Sequence, residues 1–482
     1  MLNKEPKNLW KYFEELSAIP RPSKHEEAAA NWAVGVAKEH GLDCKRDAVG
    51  NVVISVPATK GHERTPVTVL QGHLDMVCEK NSGTKHDFMK DPINLVLKGD
   101  TITADGTTLG ADNGIGIAMA LALIDEKRAI HGPLELLFTV DEETGLNGAT
   151  GLKPGFLKGK RLLNLDSEEE GEIYVGCAGG IDTTLTLRVG RGKRTRGQGA
   201  YTLHIGGLRG GHSGCDIHEG RGNANRCLAR CLKAFEDASL PYGLAEINGG
   251  SKRNAIPREA SALLYFDEKT ANRARRTAKK LQATFREELK RVDAGVTVKL
   301  SKAAKTGFPP LTDASRVKVV NFMMAIPHGL ISYSREIHGL VETSTNFATI
   351  ETTKGTFIFG TSQRSSVESQ LDWAAQWIGA IGLTGGAKVV RSDGYPGWEP
   401  NLDSKLLKST LKTYKRIFNK EPQPKAIHAG LECGIIGSKY PGMDMVSLGP
   451  DITNVHSPDE AVSVSSVKRT YDFLLALLKD LA

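Results

Sequence analysis

The fold is decided by VTVLQGHLD at residues 67–75, where an apolar run passes directly into His73 and Asp75. Two more apolar runs end in the same way at acidic residues: LELLFTV at 134–140 and RLLNL at 161–165. Uninterrupted apolar runs are typical of parallel strands that helices cover on both faces. This part of the chain therefore predicts an α/β domain with a mostly parallel sheet flanked by helices.

The pattern changes after about residue 179. The strand-like segments there alternate apolar and polar residues, which is typical of antiparallel sheets with one solvated face: DTTLTLRV (182–189), AYTLHIGG (200–207), ASALLYFD (260–267) and TVKLSK (297–302). A Gly/Pro-rich stretch at 392–400, SDGYPGWEP, returns the chain to helix–strand alternation. We therefore expect an α/β domain in two parts, 1–179 and 391–482. An α+β domain of two similar halves in tandem, 180–390, is inserted into it.

The composition is that of an ordinary globular protein. Of 482 residues, 40% are hydrophobic and 25% are charged, which excludes a disordered, collagen-like or coiled-coil chain. The 63 Lys and Arg exceed the 56 Asp and Glu by 7, a weak balance that argues against a nucleic-acid partner. Two basic stretches, 188–196 and 272–292, are interpreted as an exposed hairpin tip and a solvated helix face.

Nothing in the sequence directs the chain to a membrane or out of the cytoplasm. No apolar run approaches the ~18–20 residues that cross a bilayer. The N-terminal sequence reads as an amphipathic helix and lacks the apolar core of a signal peptide. The seven cysteines are scattered and form no CxxC pair. We therefore expect a cytoplasmic protein without a disulfide framework or a thiolate zinc site.

Histidine and acidic residues collect where strands end or a helix begins. The carboxyl ends of parallel strands meet at one edge of a sheet, where α/β proteins bind ligands. Five of these residues offer the nitrogen and oxygen ligands that suit a pair of divalent cations: His73, Asp112, Glu143, Asp166 and His456. If one carboxylate bridges ions ~3.5–4 Å apart, a shared water becomes a nucleophile at neutral pH. The sequence thus predicts a two-metal site.

Two neighbouring carboxylates have separate predicted tasks. Asp75 lies two residues after His73, a spacing that points both side chains the same way in extended chain, so Asp75 can hold the imidazole N–H. Glu142 precedes a predicted ligand and can take the proton of the bridging water and deliver it to a leaving nitrogen.

Several motifs resemble those of the di-zinc aminopeptidase-like clan of metallopeptidases, and within it the aminoacyl-histidine dipeptidase family: GHLDMV from residue 72, LGADNGIG from 109, DEETGLNGA from 141, LDSEE from 165 and NVHSPDE from 454. The likeness covers essentially the whole chain, including GGHSG from 210, NAIP from 254, SQRSSVES from 362 and HAGLECG from 428.

The resemblance implies a metal-dependent hydrolase of dipeptides, including Xaa-His dipeptides such as carnosine. It places two ions, Zn²⁺ first and Mn²⁺ or Co²⁺ as alternatives, on the five residues above, with Asp112 as the bridge. It makes Glu142 the general acid/base and the inserted domain a lid. His212 then stabilises the oxyanion, and the resemblance also implies a homodimer. Substrate contacts fall on three residues, of which the last would meet the amino group: Asn254, Arg364 and Glu432.

Two other readings stay open at this stage. An N-acyl-amino-acid amidohydrolase with the same metal site predicts turnover of N-acetyl amino acids and none of Xaa-His dipeptides. A polyanion-binding protein that uses the two basic stretches predicts binding with a steep salt dependence and no metal.

Overall fold

The computed structural model describes residues 2–304 and 306–482, which form two compact units. The first unit comprises Met1–Cys177, Trp398–Ala426 and Leu431–Ala482, and the second comprises Ala178–Gly397 and Ile427–Gly430. The predicted insertion, 180–390, lies inside the second unit, which also takes in residues 391–397 and 427–430.

Helices and strands follow in chain order. The helices of the described residues are α1 Lys7–Ser17, α2 Glu27–Glu39, α3 Ala111–Asp125, α4 Asn147–Gly151, α5 Ala224–Asp237, α6 Glu268–Glu288, α7 Asp313–Ala325, α8 Glu368–Thr384, α9 Lys405–Phe418, α10 Glu432–Lys439 and α11 Val464–Leu481. The strands are β1 Asp43–Arg46, β2 Val52–Val56, β3 Thr68–His73, β4 Leu95–Lys98, β5 Thr101–Ala104, β6 Leu134–Thr139, β7 Arg161–Asn164, β8 Glu172–Cys177, β9 Gly179–Arg188, β10 Gly199–Gly206, β11 Gly211–His212, β12 Gly243–Gly249, β13 Ala255–Ile256, β14 Ala260–Phe266, β15 Thr297–Lys302, β16 Gly329–Tyr333, β17 Val341–Thr352, β18 Thr356–Ser365, β19 Lys388–Arg391, β20 Gln423–Ile427, β21 Asp444–Ser447, β22 Ile452–Thr453 and β23 Ala461–Ser463.

The first unit is built on an eight-stranded sheet in the order β1-β2-β6-β3-β7-β21-β8-β20. Its four central strands, β6, β3, β7 and β21, run parallel, whereas β1, β2 and β8 pair antiparallel. All residues of β3 and β6 are buried, as expected of strands covered on both faces. The predicted α/β class is confirmed, with the parallel pairing confined to the centre of the sheet.

A helix and a small sheet complete the surroundings of the central strands. Helix α3 is buried almost throughout and packs against β3 and α1. A four-stranded sheet in the order β22-β23-β5-β4 joins an early segment of the chain to a late one. The loop between β22 and β23, residues 454–460, contains the NVHSPDE motif.

The second unit contains a nine-stranded antiparallel sheet with two halves of equal topology. One half has the spatial order β15-β10-β14-β12 and the other has the order β19-β9-β18-β17. Each half runs along the chain as β-α-β-β-α-β, with α5 and α6 in the first and α7 and α8 in the second. The halves meet where Gly249 of β12 pairs with Ile350 of β17. They share one hydrophobic core.

Two expectations about the second unit are wrong. The halves are not in tandem, because the complete β10–β15 half is inserted between β9 and α7 of the other. The basic stretch 188–196 is not a hairpin tip, since β9 and β10 are not neighbours in the sheet. Instead, this stretch connects two strands that are not neighbours. Arg191 fixes its position by donating hydrogen bonds to backbone carbonyls, among them those of Ala245 and Thr353. The second basic stretch does fall largely on a helix, α6.

Among residues 2–304 and 306–482, no helix has both the length and the apolar character that crossing a membrane requires.

Candidate metal centre and active site

The predicted metal ligands lie at one edge of the central sheet of the first unit. His73 is the last residue of β3, Glu143 follows β6, and Asp166 follows β7, so three adjacent parallel strands deliver them to the same side. Asp112 stands at the start of α3 and His456 in the loop between β22 and β23. The structure therefore brings all five predicted ligands together.

Asp112 lies between the two imidazoles. Its Oδ1 is 3.1 Å from Nε2 of His73, and its Oδ2 is 3.1 Å from Nε2 of His456. Asp166 approaches the first imidazole at 3.4 Å, and Glu143 approaches the second at 3.1 Å. Two groups that can each hold a metal ion result, and they share Asp112: His73, Asp112 and Asp166 in one, and Asp112, Glu143 and His456 in the other.

The chemistry of this cluster fits divalent cations. Two buried carboxylate oxygens, Oε1 of Glu143 and Oδ1 of Asp166, have no hydrogen-bond partner among the described residues. Burial raises the pKa of Asp166 to about 6, because desolvation disfavours the charged carboxylate. A bound cation would supply the positive charge that stabilises it. Carboxylate oxygens and imidazole nitrogens at this separation are suitable ligands for a pair of borderline metal ions.

Asp75 is fully buried and joins His73 to the loop after β6. Its Oδ1 is 3.2 Å from Nδ1 of His73 and accepts a hydrogen bond from the backbone N–H of Glu142, while Oδ2 accepts from that of Glu143. Burial opposes ionisation, but the hydrogen bond and charge of His73 lower the pKa of Asp75 to about 2. One carboxylate thus orients an imidazole and the backbone that carries two further site residues.

Glu142 lies beside this cluster. His73, Glu142 and Glu143 have ligand atoms within 4.8 Å of one another. Burial raises the pKa of Glu142 well above its usual range, and the nearby carboxylates of Asp166 and Glu432 raise it further. A raised pKa makes the protonated form of a carboxyl group more accessible, as a group that must both accept and release a proton requires.

Glu432 lies beneath the site, 1% exposed. Its Oε2 accepts hydrogen bonds from Gln71 and Thr139, both at 2.6 Å, whereas Oε1 has no partner among the described residues. Burial raises the pKa of Glu432 to about 8. A neutral carboxyl is a poorer partner for an ammonium group than a carboxylate, so the ionised form of Glu432 would bind an amino group best.

In the second unit, the tautomer of His212 follows from its contacts. Nδ1 lies 3.1 Å from the backbone nitrogen of Cys215, which donates to it. Burial, with help from the charge of Arg364, lowers the pKa of His212 to about 4. The imidazole is therefore neutral at pH 7 and carries its proton on Nε2, which is the form that donates to an oxyanion.

Arg364 is buried and Asn254 is exposed. Arg364, on β18, donates from Nη1 to the hydroxyl of Tyr395 at 2.8 Å, and its Nε has no hydrogen-bond partner among the described residues. A buried guanidinium in contact with a neutral oxygen is suited to receive an anion. The backbone carbonyl of Asn254 accepts a hydrogen bond from the backbone N–H of Ser213 at 2.8 Å, and the side chain of Asn254 is exposed.

Sequence reasoning missed four residues around these sites. In the first unit, Glu460 and Arg21 make hydrogen bonds to the backbone near Asp112. In the second, Tyr395 holds Arg364, and His428 lies 2.8 Å from the hydroxyl of Ser344 with its pKa lowered by burial. Glu460 and His428 lie in motifs that carry the family resemblance, but no local periodicity or spacing signals the partner of any of the four residues.

Comparison with known proteins identifies the family of the chain. The chain matches Peptidase family M20/M25/M40 over residues 69–480. The cytosol non-specific dipeptidase of Escherichia coli (strain K12) is 43% identical over 476 residues, which are 99% of this chain and 98% of the relative. The crystal structure of aminoacylhistidine dipeptidase from Vibrio alginolyticus has a TM-score of 0.90 at 42% identity, with 99% of this chain and 97% of that chain covered.

A more distant structure shows the fold. Aminopeptidase PepT from Bacillus cereus has a TM-score of 0.57 at 16% identity and covers 98% of each chain. The family match and the full-length similarity establish the class: this chain belongs to the peptidase family M20/M25/M40, and it is a hydrolase with the metallopeptidase fold of that family.

Proposed function

We propose that the protein is a metal-dependent dipeptidase that cleaves dipeptides, including Xaa-His dipeptides such as carnosine. The observation that carries the proposal is Asp112, whose two oxygens each lie 3.1 Å from a different imidazole. The full-length similarity to a cytosol non-specific dipeptidase and to an aminoacylhistidine dipeptidase supports the choice of substrate.

Five residues would hold two divalent cations, with Asp112 shared by both: His73, Asp112, Glu143, Asp166 and His456. Zn²⁺ is our first choice because imidazole and carboxylate ligands suit it, and Mn²⁺ and Co²⁺ bind the same ligands. When bound, a pair of such cations acidifies a shared water and polarises the scissile carbonyl.

The residues of the chain supply the remaining chemistry. Glu142 takes a proton from the attacking water and passes it to the leaving nitrogen, which its raised pKa favours. Asp75 keeps His73 in one orientation and accepts the backbone N–H of Glu142. His212 donates from Nε2 to the oxyanion, and such a donor contributes roughly 2.7–4 kcal/mol to the transition state when preorganised.

Recognition of a dipeptide requires groups for both of its ends. We propose that Arg364 binds the free carboxylate of the dipeptide. A guanidinium that forms two hydrogen bonds with this carboxylate fixes its distance from the scissile bond and so excludes longer peptides. Asn254 is proposed to assist Arg364, and Glu432 is kept as the proposed contact for the amino group through Oε1. We further propose that the protein works in the cytoplasm as a homodimer and needs neither nucleic acid nor a membrane.

The decisive experiment measures metal content and turnover together. Purified wild type, Glu142→Ala and Glu142→Gln are assayed for bound metal and for hydrolysis of Xaa-His dipeptides, tripeptides and N-acetyl amino acids. We expect metal in all three proteins, dipeptide turnover in wild type, and a loss of at least ~100-fold in both variants.

Other outcomes separate the alternatives. Turnover of N-acetyl amino acids without dipeptides would identify an amidohydrolase. Unchanged turnover in Glu142→Ala would remove Glu142 from its role. A wild-type protein that neither binds divalent cations nor cleaves a peptide bond in their presence would refute the proposal.

A further inference from the structure

Glu460 is buried and makes an unusual number of backbone contacts. It is 2% exposed. Its Oε2 accepts hydrogen bonds from the backbone N–H groups of Leu109 and Gly110, at 2.8 and 3.0 Å. Its Oε1 accepts from those of Ala111 and Asp112, at 2.8 and 3.2 Å. One carboxylate therefore satisfies four consecutive amides where α3 begins, which are amides that lack partners within the helix.

Arg21 holds the same peptide segment from the other side. It is also buried, and its Nη2 donates to the carbonyl of Gly110 at 2.5 Å. Its Nη1 donates to the carbonyls of Leu74 and Asp75, both at 2.8 Å. Gly110 thus has its N–H bound to an anion and its C=O bound to a cation. Charge-assisted hydrogen bonds of this kind are stronger than neutral ones.

Glu460 connects two distant parts of the chain that carry proposed ligands. It lies four residues after His456 in the 454–460 loop, and Asp112 is the last of the four residues whose amides it accepts. The β22–β23 hairpin and the start of α3 are therefore joined at a point next to both ligands. Asp112 and His456 are 3.1 Å apart at their nearest atoms.

We propose that Glu460 is a positioning residue of the metal centre. It fixes the loop that carries His456 against the helix start that carries Asp112, so that both side chains are in place before a cation binds. Arg21 does the same for the strand end that carries His73. The inference rests on the proposed function, because that proposal makes these residues metal ligands.

The substitution Glu460→Gln tests this role with little change in shape. A glutamine keeps one acceptor oxygen but turns an NH₂ donor toward two of the four amides, which leaves them unsatisfied in a buried site. The loop and the helix start then lose their fixed separation. Changes of this kind behind metal ligands lower metal affinity about 10- to 100-fold.

Glu135 provides a matched control in the same unit. It is 4% exposed, and its carboxylate accepts hydrogen bonds from the backbone N–H groups of Lys158 and Gly159. It stands near the beginning of β6, whereas the proposed metal site lies at the end of the parallel strands. Glu135→Gln removes a buried carboxylate from similar partners, so it reports any general loss of stability.

The experiment titrates metal-free wild type, Glu460→Gln and Glu135→Gln with Mn²⁺ and follows free Mn²⁺ by electron paramagnetic resonance. We expect two ions per chain in wild type and in Glu135→Gln with equal affinities. In Glu460→Gln, metal binding should weaken about 10- to 100-fold, most of all at the group of Asp112, Glu143 and His456, because two of its three ligands lose their fixed positions. Thermal unfolding of the metal-free proteins shows whether the two variants lose comparable stability.

The outcomes distinguish this inference from the proposed function. Wild type that binds neither Mn²⁺ nor Zn²⁺ nor Co²⁺ would refute both. Two unweakened sites in Glu460→Gln, with wild type normal, would refute the inference and leave the function standing. Equal weakening in Glu135→Gln would also refute it, since the effect would then be one of general stability. If Glu460→Gln does not fold, Glu460→Asp decides in the same titration, because its shorter carboxylate keeps the charge but not all four contacts.

Discussion

Arg364 is the residue that we propose limits the length of the substrate. Its guanidinium is 7% exposed and touches the neutral hydroxyl of Tyr395, and its Nε has no hydrogen-bond partner among the described residues. Burying a charge is costly unless it is paired. A substrate carboxylate would supply the missing partner, and only a peptide with its free carboxylate at the correct distance could do so.

The Arg364→Lys variant tests this pairing. Lysine keeps the charge but cannot form two parallel hydrogen bonds with a carboxylate. We expect KM for dipeptides to rise about 10- to 100-fold, which corresponds to the loss of one charge-assisted hydrogen bond, with a smaller change in kcat. Steady-state kinetics with a dipeptide and its C-terminal amide measure the effect.

The amide is the internal control, because it has no carboxylate for Arg364 to bind. Its KM should be high in wild type and should change little in the variant. An equal rise for both substrates would show that Arg364 does not contact the carboxylate. Tyr395→Phe removes the hydroxyl that accepts the hydrogen bond from Nη1 of Arg364 and should raise KM for the dipeptide about 2- to 10-fold.

At the scale of an element, the start of α3 requires glycine at position 110. Gly110 has a φ of +70°, and a Cβ there would lie 2.5 Å from Nη2 of Arg21. Gly35, inside α2, is the opposite case, since a Cβ there would meet nothing within 4 Å. Both glycines belong to the first unit. Substitutions at Gly110 and Gly35 therefore compare a position where the backbone requires glycine with one in an ordinary helix.

We predict opposite effects of Gly→Ala at these two sites. Gly110→Ala should destabilise the protein by about 1–3 kcal/mol through backbone strain and the displaced Arg21. Gly35→Ala should stabilise it by about 0.5–1 kcal/mol because alanine is the better helix former. Thermal unfolding of the metal-free proteins measures both. Equal shifts in the same direction would contradict the role assigned to Gly110.

The elements that the sequence predicted best are those with a local signature. Uninterrupted apolar runs ending in His73 or Asp166 are such signatures, and β3 and β7 end where these runs do. Strand pairing has no local signature. The β10–β15 half is inserted after β9, and a chain read in order gives no sign that β9 pairs with β18, more than 160 residues later.

The candidate site divides in the same way. The spacing of His73 and Asp75 was informative because both lie at one strand end. Glu460 was not predictable, since its partners are backbone amides about 350 residues away, and any buried carboxylate of a globular protein can make such contacts. A side chain that binds backbone amides does not restrict which residues supply them. The sequence therefore contains no pattern that would identify the partners of Glu460.

At the scale of the whole molecule, buried histidines of the second unit make stability depend on pH. His428 is 6% exposed, and burial lowers its pKa to about 3, with Arg364, His212 and His218 contributing and the carbonyl of Val341 opposing. The pKa of His212 is lowered to about 4 by burial and by Arg364. In an unfolded chain the same groups titrate near 6.5.

The sign of the effect follows from these values. Below pH ~6.5 the unfolded chain binds protons that the folded one does not, so the free energy of unfolding falls as the pH drops toward the folded pKa values. A buried histidine of this kind contributes about 1.4 kcal/mol per pH unit in that window, or about 2 kcal/mol between pH 6.5 and 5. Above pH ~7 the histidine is neutral in both the folded and the unfolded chain, so it no longer makes the free energy of unfolding depend on pH.

The variant His428→Gln isolates one of these groups from every other titration in the chain. Glutamine cannot be protonated. The free energy of unfolding of the variant should therefore fall between pH 7.5 and 5 by about 2 kcal/mol less than that of wild type. Urea unfolding of the full, metal-free chain at a series of pH values gives the slope of unfolding free energy against pH for each protein. The lost contact with Ser344 lowers the stability of the variant by an amount that does not depend on pH above 7. Parallel curves for the two proteins would mean that His428 is protonated in the folded state as readily as in the unfolded one. A steeper curve for the variant would reverse the sign of the argument.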